Sequence, residues 1–357
     1  MRIEAIPAVE LTADQFSLWS QFQRADAALD SPYFRPEFTQ AVAAVRRGVE
    51  TGILEDGNDI VGFFPFQRGK GNVGLPVGGK MSDFHGLIAR QGVNFNPQEI
   101  IKACKLSAWH FDHLLAGQES FQPYHWSAAG SPYMDLSGGW HDYEKSQLAE
   151  HKSSFKRMCR KIRQVECEAG EIRLEVHASD NKVFSSLIEW KRKQYQTTGV
   201  TDILAIDWTV ALLQRILTCK EEPFSGILSA LYIDNILAAV LLSMKSFGVL
   251  HGWFSAHGPQ FAQFSPGLIM WFELAKVAEK WGIGRIDLGK GPEDYKKHLM
   301  SDSIAVAEGS VDTRPLGRIM RRHWHRAFHW LRNTPLRNPL LTPGRFVRRI
   351  IETNKLK

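Results

Sequence analysis

The sequence contains one β-hairpin pattern twice, once in each half of the chain. Residues 52–64 read GILEDGNDIVGFF and residues 226–241 read GILSALYIDNILAAVL, each with a polar turn between two apolar stretches. In the first copy, Asp56-Gly57 supplies residues that favour the positive φ angles of a tight hairpin turn. A helix-rich segment precedes each hairpin, and further strands follow it. The repeat therefore predicts an α/β chain of two similar units.

Length and composition agree with two globular units. The chain has 357 residues, more than one domain usually holds, and its 44% hydrophobic and 23% charged residues are typical of folded proteins. The longest apolar run, residues 236–242, is far shorter than the roughly 18 to 20 residues of a membrane-spanning helix. The beginning of the chain does not resemble a secretory signal, so we expect a cytoplasmic protein.

The four cysteines stand far apart in the sequence and form no C-x-x-C pair; they are Cys104, Cys159, Cys167 and Cys219. Such spacing favours reduced thiols over a disulfide framework or a zinc site. We therefore predict no structural metal.

The net charge of +6 is unevenly distributed along the chain. Residues 314–357 carry twelve Lys or Arg against the single acid Glu352, a net charge of +11, which leaves −5 for the rest. Residues 315–331 are predicted to form a basic amphipathic helix with an apolar face. This helix suits an anionic membrane surface or a polysaccharide synthase as partner, and docking on the acidic body is the alternative. Its histidines, His323, His325 and His329, lack the spacing of metal ligands on one helical face.

In the second half the pattern predicts a fuller order of elements. Helical spacing covers residues 183–195 and 208–217, followed by the hairpin and a strand over 248–254. A helix is predicted to begin with Ser265 as N-cap and Pro266 at its first position, and to end at Gly282. Its predicted apolar face consists of Leu268, Trp271, Leu274, Ala275, Ala278 and Trp281. A short strand over 285–289 and a helix through Tyr295 complete the order.

A polar, basic helical stretch over residues 143–168 lies between the halves, where we place the junction. The predicted organisation is an N-terminal domain at 1–142, a basic connector helix at 143–170, a C-terminal domain at 171–313 and the basic tail at 314–357. A solvated connector is the simplest interpretation of this charged stretch.

The order of elements and four motifs resemble the GNAT acyltransferases in tandem duplicate. More narrowly, the chain is similar to CelD-type acetyltransferases of cellulose and exopolysaccharide biosynthesis, which are relatives of the FemAB transferases of peptidoglycan assembly. The motifs are SPYFRPEF at 31–38, VGFFPFQ at 61–67, SDFHG at 82–86, and DLGKG at 287–291 ahead of Tyr295-Lys296-Lys297. The resemblance implies two tandem GNAT-like domains, each a mixed central sheet flanked by helices.

The resemblance also implies a site for acetyl-CoA or another acyl-CoA at the start of the helix after the fourth strand of the second unit. There the amide groups of a helix N-terminus hold the pyrophosphate. The corresponding residues are Phe264, Ser265, Gly267 and Leu268. The usual Gln/Arg-x-x-Gly-x-Gly/Ala pattern is absent, and Pro266 removes one amide donor. An ordinary capped helix is the alternative.

The catalytic roles follow from the same resemblance. Tyr295 corresponds to a tyrosine that protonates the departing thiolate, and His251 or Asp287 would accept a proton from the attacking amine or hydroxyl. Lys296 or Lys297 matches a lysine of the FemAB pattern near substrate phosphate. The structural alternatives are a turn-capping carboxylate for Asp287 and a solvated helix face for the lysines.

The acceptor is expected in a groove between the two domains. Asp83 and His85 form an Asp-x-His pair, and Trp190 and Tyr195 belong to an aromatic and basic cluster that faces the groove in relatives. A buried, hydrogen-bonded histidine and an amphipathic core helix are the alternatives.

The expected function is transfer of an acetyl or acyl group from acyl-CoA to an amine or hydroxyl of a sugar or polysaccharide precursor, in the cytoplasm or peripheral to the inner membrane. Two alternatives stay open. The donor could be an aminoacyl-tRNA, as in FemAB relatives, with the basic connector and tail binding the tRNA. The protein could instead be a non-catalytic scaffold at the polysaccharide synthase.

Overall fold

The computed structural model describes residues 1–314, apart from residues 221, 292 and 293. The predicted basic helix at 315–331, its histidines and the rest of the tail lie outside the described residues.

The first half of the chain alternates short helices with strands that form one side of a mixed sheet. Its elements are β1 (Arg2–Pro7), α1 (Ala13–Ala25), α2 (Pro36–Val45), β2 (Val49–Asp56), β3 (Asp59–Arg68), β4 (Val73–Leu75), β5 (Ile88–Ala89), α3 (Pro97–Ala103), β6 (Ala108–Leu115), β7 (His125–Asp135) and α4 (Gly139–Glu150).

The second half follows the same plan. Its elements are α5 (Lys152–Glu168), β8 (Ile172–Glu175), α6 (Asn181–Thr198), α7 (Asp207–Thr218), β9 (Phe224–Ile233), β10 (Ile236–Ser246), β11 (Val249–His257), α8 (Pro266–Val277), β12 (Arg285–Asp287), a short 3-10 helix (Asp294–His298) and β13 (Asp302–Asp312). The predicted α/β fold of two GNAT-like units is confirmed.

Both predicted hairpins are present as antiparallel pairs, β2 with β3 and β9 with β10. The second turn has positive φ at both Asp234 and Asn235, which matches the twist of the flanking strands. In the first turn only Gly57 has positive φ, because Asp56 is still the last residue of β2. The prediction of positive φ for Asp56 was therefore wrong.

The strands of the two halves form one continuous sheet. Its order is β1-β2-β3-β4-β6-β13-β7-β12-β11-β10-β9-β8, with β5 paired to β3. The final strand β13 lies between β6 and β7 of the first half, and β7 in turn pairs with β12 of the second half. The two halves thus exchange their last strands. The division at 1–142, 143–170 and 171–313 stays a prediction, but these segments do not correspond to separable parts of the sheet.

Helix α5 differs from the solvated connector that the charge pattern suggested. Four of its apolar side chains are buried in the core that α8 also contributes to, and they are Phe155, Met158, Ile162 and Val165. The preceding helix α4 ends at Glu150, so the stretch consists of two helices. Helix α5 is therefore part of the C-terminal core, with its basic residues on the outer face.

Four residues of the predicted apolar face of α8 are buried, whereas Leu268 is half-buried and Trp281 is 42% exposed. The α-helix ends at Val277 and continues as a 3-10 helix over Ala278–Trp281, which Gly282 ends in a left-handed conformation. A 3-10 helix has three residues per turn, so the α-helical spacing no longer places Trp281 on the buried face.

Among residues 1–314 as described, no helix has the length and apolar character needed to cross a lipid bilayer. The four cysteines are free thiols, and Cys104 is buried in the N-terminal core.

The strand exchange predicts that the two halves unfold together. Val306 on β13 pairs with Leu115 on β6 and Ala129 on β7 and is fully buried. We expect one calorimetric transition, with equal calorimetric and van't Hoff enthalpies. A Val306→Ala substitution should lower the free energy of unfolding by about 2 kcal/mol and shift the whole transition. Two resolved transitions, one of them insensitive to this substitution, would contradict the interlocked arrangement.

Candidate active site

A buried histidine lies between two carboxylates where the halves of the chain meet. The parallel register of β11 and β12 places His251 directly opposite Asp287. Asp83, from the loop before β5 in the first half, reaches the other side of the ring. The His251 Nε2 atom lies 3.0 Å from Asp83 Oδ2, and Nδ1 lies 3.7 Å from Asp287 Oδ2. The structure thus brings together three predicted site residues from three separate segments.

The two carboxylates determine the charge of this histidine. Burial alone would lower the pKa of His251, but Asp287 and Asp83 favour the charged ring more strongly, so its pKa is raised. Burial would likewise raise the pKa of Asp83, but the hydrogen bond and charge of His251 lower it. The two carboxylates thus favour the charged form of the ring, whose Nε2–H donates to Asp83. His251 and Asp287 both stay predicted proton acceptors.

Aromatic side chains and cations surround this group. The rings of Tyr33 and Phe84 stand edge-on to His251, with centroids 4.9 and 5.9 Å away. Arg285 Nε donates to Asp287 Oδ1 at 2.9 Å. The buried Lys296 Nζ donates to the Gly289 carbonyl at 2.9 Å, and its charge also acts on Asp83. Each of the two carboxylates is therefore influenced by a further cation, Asp287 by Arg285 and Asp83 by Lys296.

Gly289 is needed where the loop after β12 passes Asp83. Its φ is +71°, and a Cβ at this position would lie 3.2 Å from Asp83 Oδ2. Glycine adopts this backbone region without the steric cost that other residues carry. The Asp-Leu-Gly motif thus allows the carboxylate of Asp83 to reach the ring.

Two polar atoms in this group have no hydrogen-bond partner among the described residues. They are His251 Nδ1 and Asp287 Oδ2, which face each other at 3.7 Å, and both are buried. Buried polar atoms are almost always paired in folded proteins, so unpaired ones concentrate at functional positions. At this pair of atoms the hydrogen bonding of the ionic group is incomplete.

A cleft of about 190 Å³ opens at the start of α8. Its walls come from α5, α8 and the 3-10 helix at Asp294–His298, and they consist of Ser154, Phe155, Arg157, Met158, Lys161, Leu268, Phe272, His298 and Leu299. The floor is apolar, whereas Arg157, Lys161 and His298 make the rim basic. This 3-10 helix contributes His298 to the cleft and Lys296 to the ionic group, so it connects the two.

The start of α8 has the predicted residues but fewer open amides than the prediction needs. Leu268 and Ile269 donate to the Ser265 carbonyl at 2.9 and 3.3 Å, and Pro266 has no N–H. Gly267 supplies the remaining amide of the first turn, and no atom lies within 4 Å of a Cβ added there. Lys161 Nζ donates to Ser265 Oγ at 2.8 Å. The side chain of Ser265 therefore contacts α5 instead of capping its own helix.

The remaining predicted residues are distributed around these two features. His85 pairs with Asp112 and not with His251, and Phe264 is buried in the C-terminal core. Tyr295 is partly buried against the same core, and Lys297 is exposed. Their roles stay predictions.

Helix α6 carries Trp190 and Tyr195, both partly buried against the large core cluster. Lys191 donates to the Ser255 carbonyl on β11 at 3.1 Å, and its ammonium lies 5.5 Å from the Tyr195 ring centroid. Burial, and then the charges of Asp202 and Asp83, raise the pKa of Tyr195. The charge of Asp83 thus acts on Tyr195. Trp190 and Tyr195 also pack against the core, as residues of an amphipathic core helix do.

Sequence reasoning missed several residues of both features. Lys161 and Arg157 lie in the stretch interpreted as a connector, and only their place in a basic run could have indicated an anion site. Arg285 and Tyr33 were not assigned a role, although the Ser31-to-Phe38 motif contains Tyr33.

Residues 152–297 match the family model of the acetyltransferase (GNAT) domain. No curated protein matches the sequence significantly. Among solved structures, the chain is similar to FemX, with a TM-score of 0.55 and 11% identity over 89% of this chain and 99% of that one. It is also similar to the C-terminal domain of a protein described as a lysylphosphatidylglycerol synthetase from Agrobacterium fabrum, with a TM-score of 0.52 and 9% identity over 87% and 95%.

A third similar structure is a tandem GNAT protein from the clavulanic acid biosynthesis pathway, with a TM-score of 0.50 and 9% identity over 88% of this chain and 99% of that one. Identities this low show a shared fold. The family match covers α5 through β12 and most of the ionic group. The family match and these structures agree with the predicted GNAT-like α/β fold.

The raised pKa of His251 predicts a specific pH dependence of stability. Because the folded pKa is raised above the unfolded value of about 6.5, its contribution is fully present below that pH and is lost as pH rises through the folded pKa. Urea unfolding of the native chain and of His251→Gln should differ most near pH 6 and progressively less at higher pH. The exposed His141→Gln on α4 serves as control and should show no such trend. A difference that grows with pH would overturn the assignment.

Proposed function

We propose that the protein transfers an acyl group from acyl-CoA to an amine or hydroxyl of a sugar or polysaccharide precursor. The observation that carries this proposal is the basic-rimmed cleft at the start of α8, inside the GNAT domain and next to the Asp83–His251–Asp287 group. The acyl donor would bind in the cleft and the acceptor at the ionic group, and the 3-10 helix at Asp294–His298 contributes a residue to each.

The donor end of the proposal rests on charge and shape. The pyrophosphate of coenzyme A would accept from the Gly267 amide and lie beside Lys161 and Arg157, since an open helix start and nearby cations both favour an anion. The apolar floor, with Leu268 and Phe272, suits the less polar arm of the donor. Lys161 compensates for the amide that Pro266 removes.

The acceptor end rests on the ionic group. Asp83 is 28% exposed, whereas His251 and Asp287 are essentially inaccessible, so an acceptor would donate its N–H or O–H to Asp83. The nucleophile would attack the thioester carbon, forming the new C–N or C–O bond as the C–S bond breaks. In the predicted roles, the carboxylates take the proton of the nucleophile and Tyr295 protonates the leaving thiolate. Positioning accounts for most of the rate, because the two substrates are held in one geometry.

The narrower setting follows from the CelD-type resemblance. In it the acceptor belongs to exopolysaccharide or cell-envelope synthesis, and the enzyme works in the cytoplasm or against the inner membrane. The tail at 314–357 would provide the contact with the membrane or the synthase through its charge of +11.

A second candidate function is aminoacyl transfer from tRNA. It is supported by the fold shared with FemX and with the lysylphosphatidylglycerol synthetase domain, and by the basic outer face of α5. Binding of tRNA would weaken steeply with salt, because phosphate contacts release counterions. The acyl-CoA interpretation is favoured because residues 152–297 match the acetyltransferase (GNAT) domain model.

Calorimetric titration with acetyl-CoA tests the donor site. We expect binding to the native chain, loss of binding in Gly267→Trp, and roughly tenfold or greater weakening in Lys161→Met, because a hydrogen bond to a charged group contributes about 1.5–3 kcal/mol. Lys156→Met, one turn away on the exposed face of α5, should bind like the native protein. Absence of binding, together with salt-sensitive tRNA binding, would favour the second candidate.

Turnover measurements separate an enzyme from a scaffold. With an amino sugar as acceptor, Asp287→Asn and Tyr295→Phe should retain acetyl-CoA binding but lose about 10²–10⁴-fold in kcat, the usual contribution of a positioned proton donor or acceptor. Circular dichroism checks that each variant is folded. Unchanged turnover in both variants would remove the proposed proton transfers.

A further inference from the structure

Three side chains beside the ionic group converge on one point. They are His85, Asp112 and His113. The Asp112 Oδ1 atom lies 2.8 Å from His85 Nε2 and 3.0 Å from His113 Nδ1, and all three ligand atoms lie within 4.8 Å of one another. This cluster lies outside the cleft and contributes no atom to the Asp83–His251–Asp287 group.

The backbone fixes this arrangement. His85 forms a parallel bridge with Leu114 next to β6, where its N–H donates to the His113 carbonyl and its own carbonyl accepts from Leu115, both at 3.0 Å. Asp112 and His113 are neighbours on that strand. The loop before β5 and strand β6 are therefore held in register on either side of the cluster.

Ser82 lies behind the His85 ring. Its hydroxyl oxygen lies 3.0 Å from the Phe84 carbonyl and 3.3 Å from His85 Nδ1, to which it is hydrogen-bonded as acceptor or donor according to the tautomer of the ring. With the ring proton on Nδ1, the lone pair of Nε2 faces the Asp112 carboxylate 2.8 Å away and can bind a metal ion in place of a proton.

The ring of His113 approaches the same oxygen of Asp112. Its Nδ1 is buried and forms no hydrogen bond of acceptable geometry within the described part of the chain, although Asp112 Oδ1 is only 3.0 Å away. Each neutral ring has its own N–H for the carboxylate, but the geometry at His113 does not form that hydrogen bond. One metal ion can be bound by both nitrogens and the oxygen together.

We propose that His85, Asp112 and His113 bind a divalent transition-metal ion, with zinc preferred. Two imidazole nitrogens and one carboxylate oxygen are ligands typical of zinc and its first-row neighbours, whereas magnesium and calcium prefer oxygen alone. This proposal departs from the prediction of no metal, which considered cysteine spacing and the tail histidines.

The exposure of the three side chains leaves one position on the ion open. The His85 side chain is 3% exposed and that of His113 16%, but Asp112 is half exposed. Water would complete the coordination from that side. Ser82 orients the His85 ring from behind, as hydrogen-bond partners of metal-bound histidines commonly do. The ion would clamp the loop that carries Asp83 onto β6.

Titration of the metal-free full-length protein with Co²⁺ and Zn²⁺ tests the site. We expect one equivalent of Co²⁺ to give visible ligand-field absorption that Zn²⁺ abolishes, and Zn²⁺ to raise the melting temperature. His113→Gln and Asp112→Asn should lose this signal. Ser82→Ala, which keeps all three ligands, should weaken binding about tenfold or more.

His141→Gln, an exposed histidine outside the cluster, is the matched control and should bind as the native chain does. The proposal is overturned if the native protein binds no stoichiometric ion. It is equally overturned if His113→Gln, Asp112→Asn and Ser82→Ala, each folded by circular dichroism, bind like the control, because the ion would then be held elsewhere.

Discussion

A buried histidine between two carboxylates is the interaction on which the centre of this protein depends. Burying a charged ring is costly, and Asp83 and Asp287 offset that cost for His251 from both sides, which raises its pKa. Each partner comes from a different part of the chain. The register of β11 with β12 supplies Asp287, and the loop of the first half supplies Asp83. The ionic group therefore couples the assembly of the site to the docking of the two halves.

The same constraint explains the backbone conformation and the contacts of the neighbouring residues. Gly289 has positive φ so that the chain can pass the Asp83 carboxylate, and Arg285 neutralises the far side of Asp287. Lys296 is anchored to the backbone of the same turn. The 3-10 helix at Asp294–His298 thus contributes both to the cleft at α8 and to this ionic group.

Local sequence signals predicted local structure well. The alternation of apolar residues and the turn residues located both hairpins, and Pro266 and Gly282 marked the ends of a helical segment. Of the site, the resemblance supplied Asp83, His251, Asp287 and Lys296, but not their mutual arrangement. The contacts between residues far apart in the sequence were not predicted. The pairing of β13 with β6, and the burial of α5 in the C-terminal core, depend on partners far away in sequence, which no local pattern encodes.

The exchange of last strands also has a consequence for the order in which the chain is made. A ribosome delivers β6 and β7 early, but the strand that belongs between them is residues 302–312, almost at the end of the described chain. Until that strand arrives, the first half has unpaired strand edges, which are sites for wrong pairing. The first half of this protein is thus completed last, and its strand edges stay unpaired while the second half is synthesised.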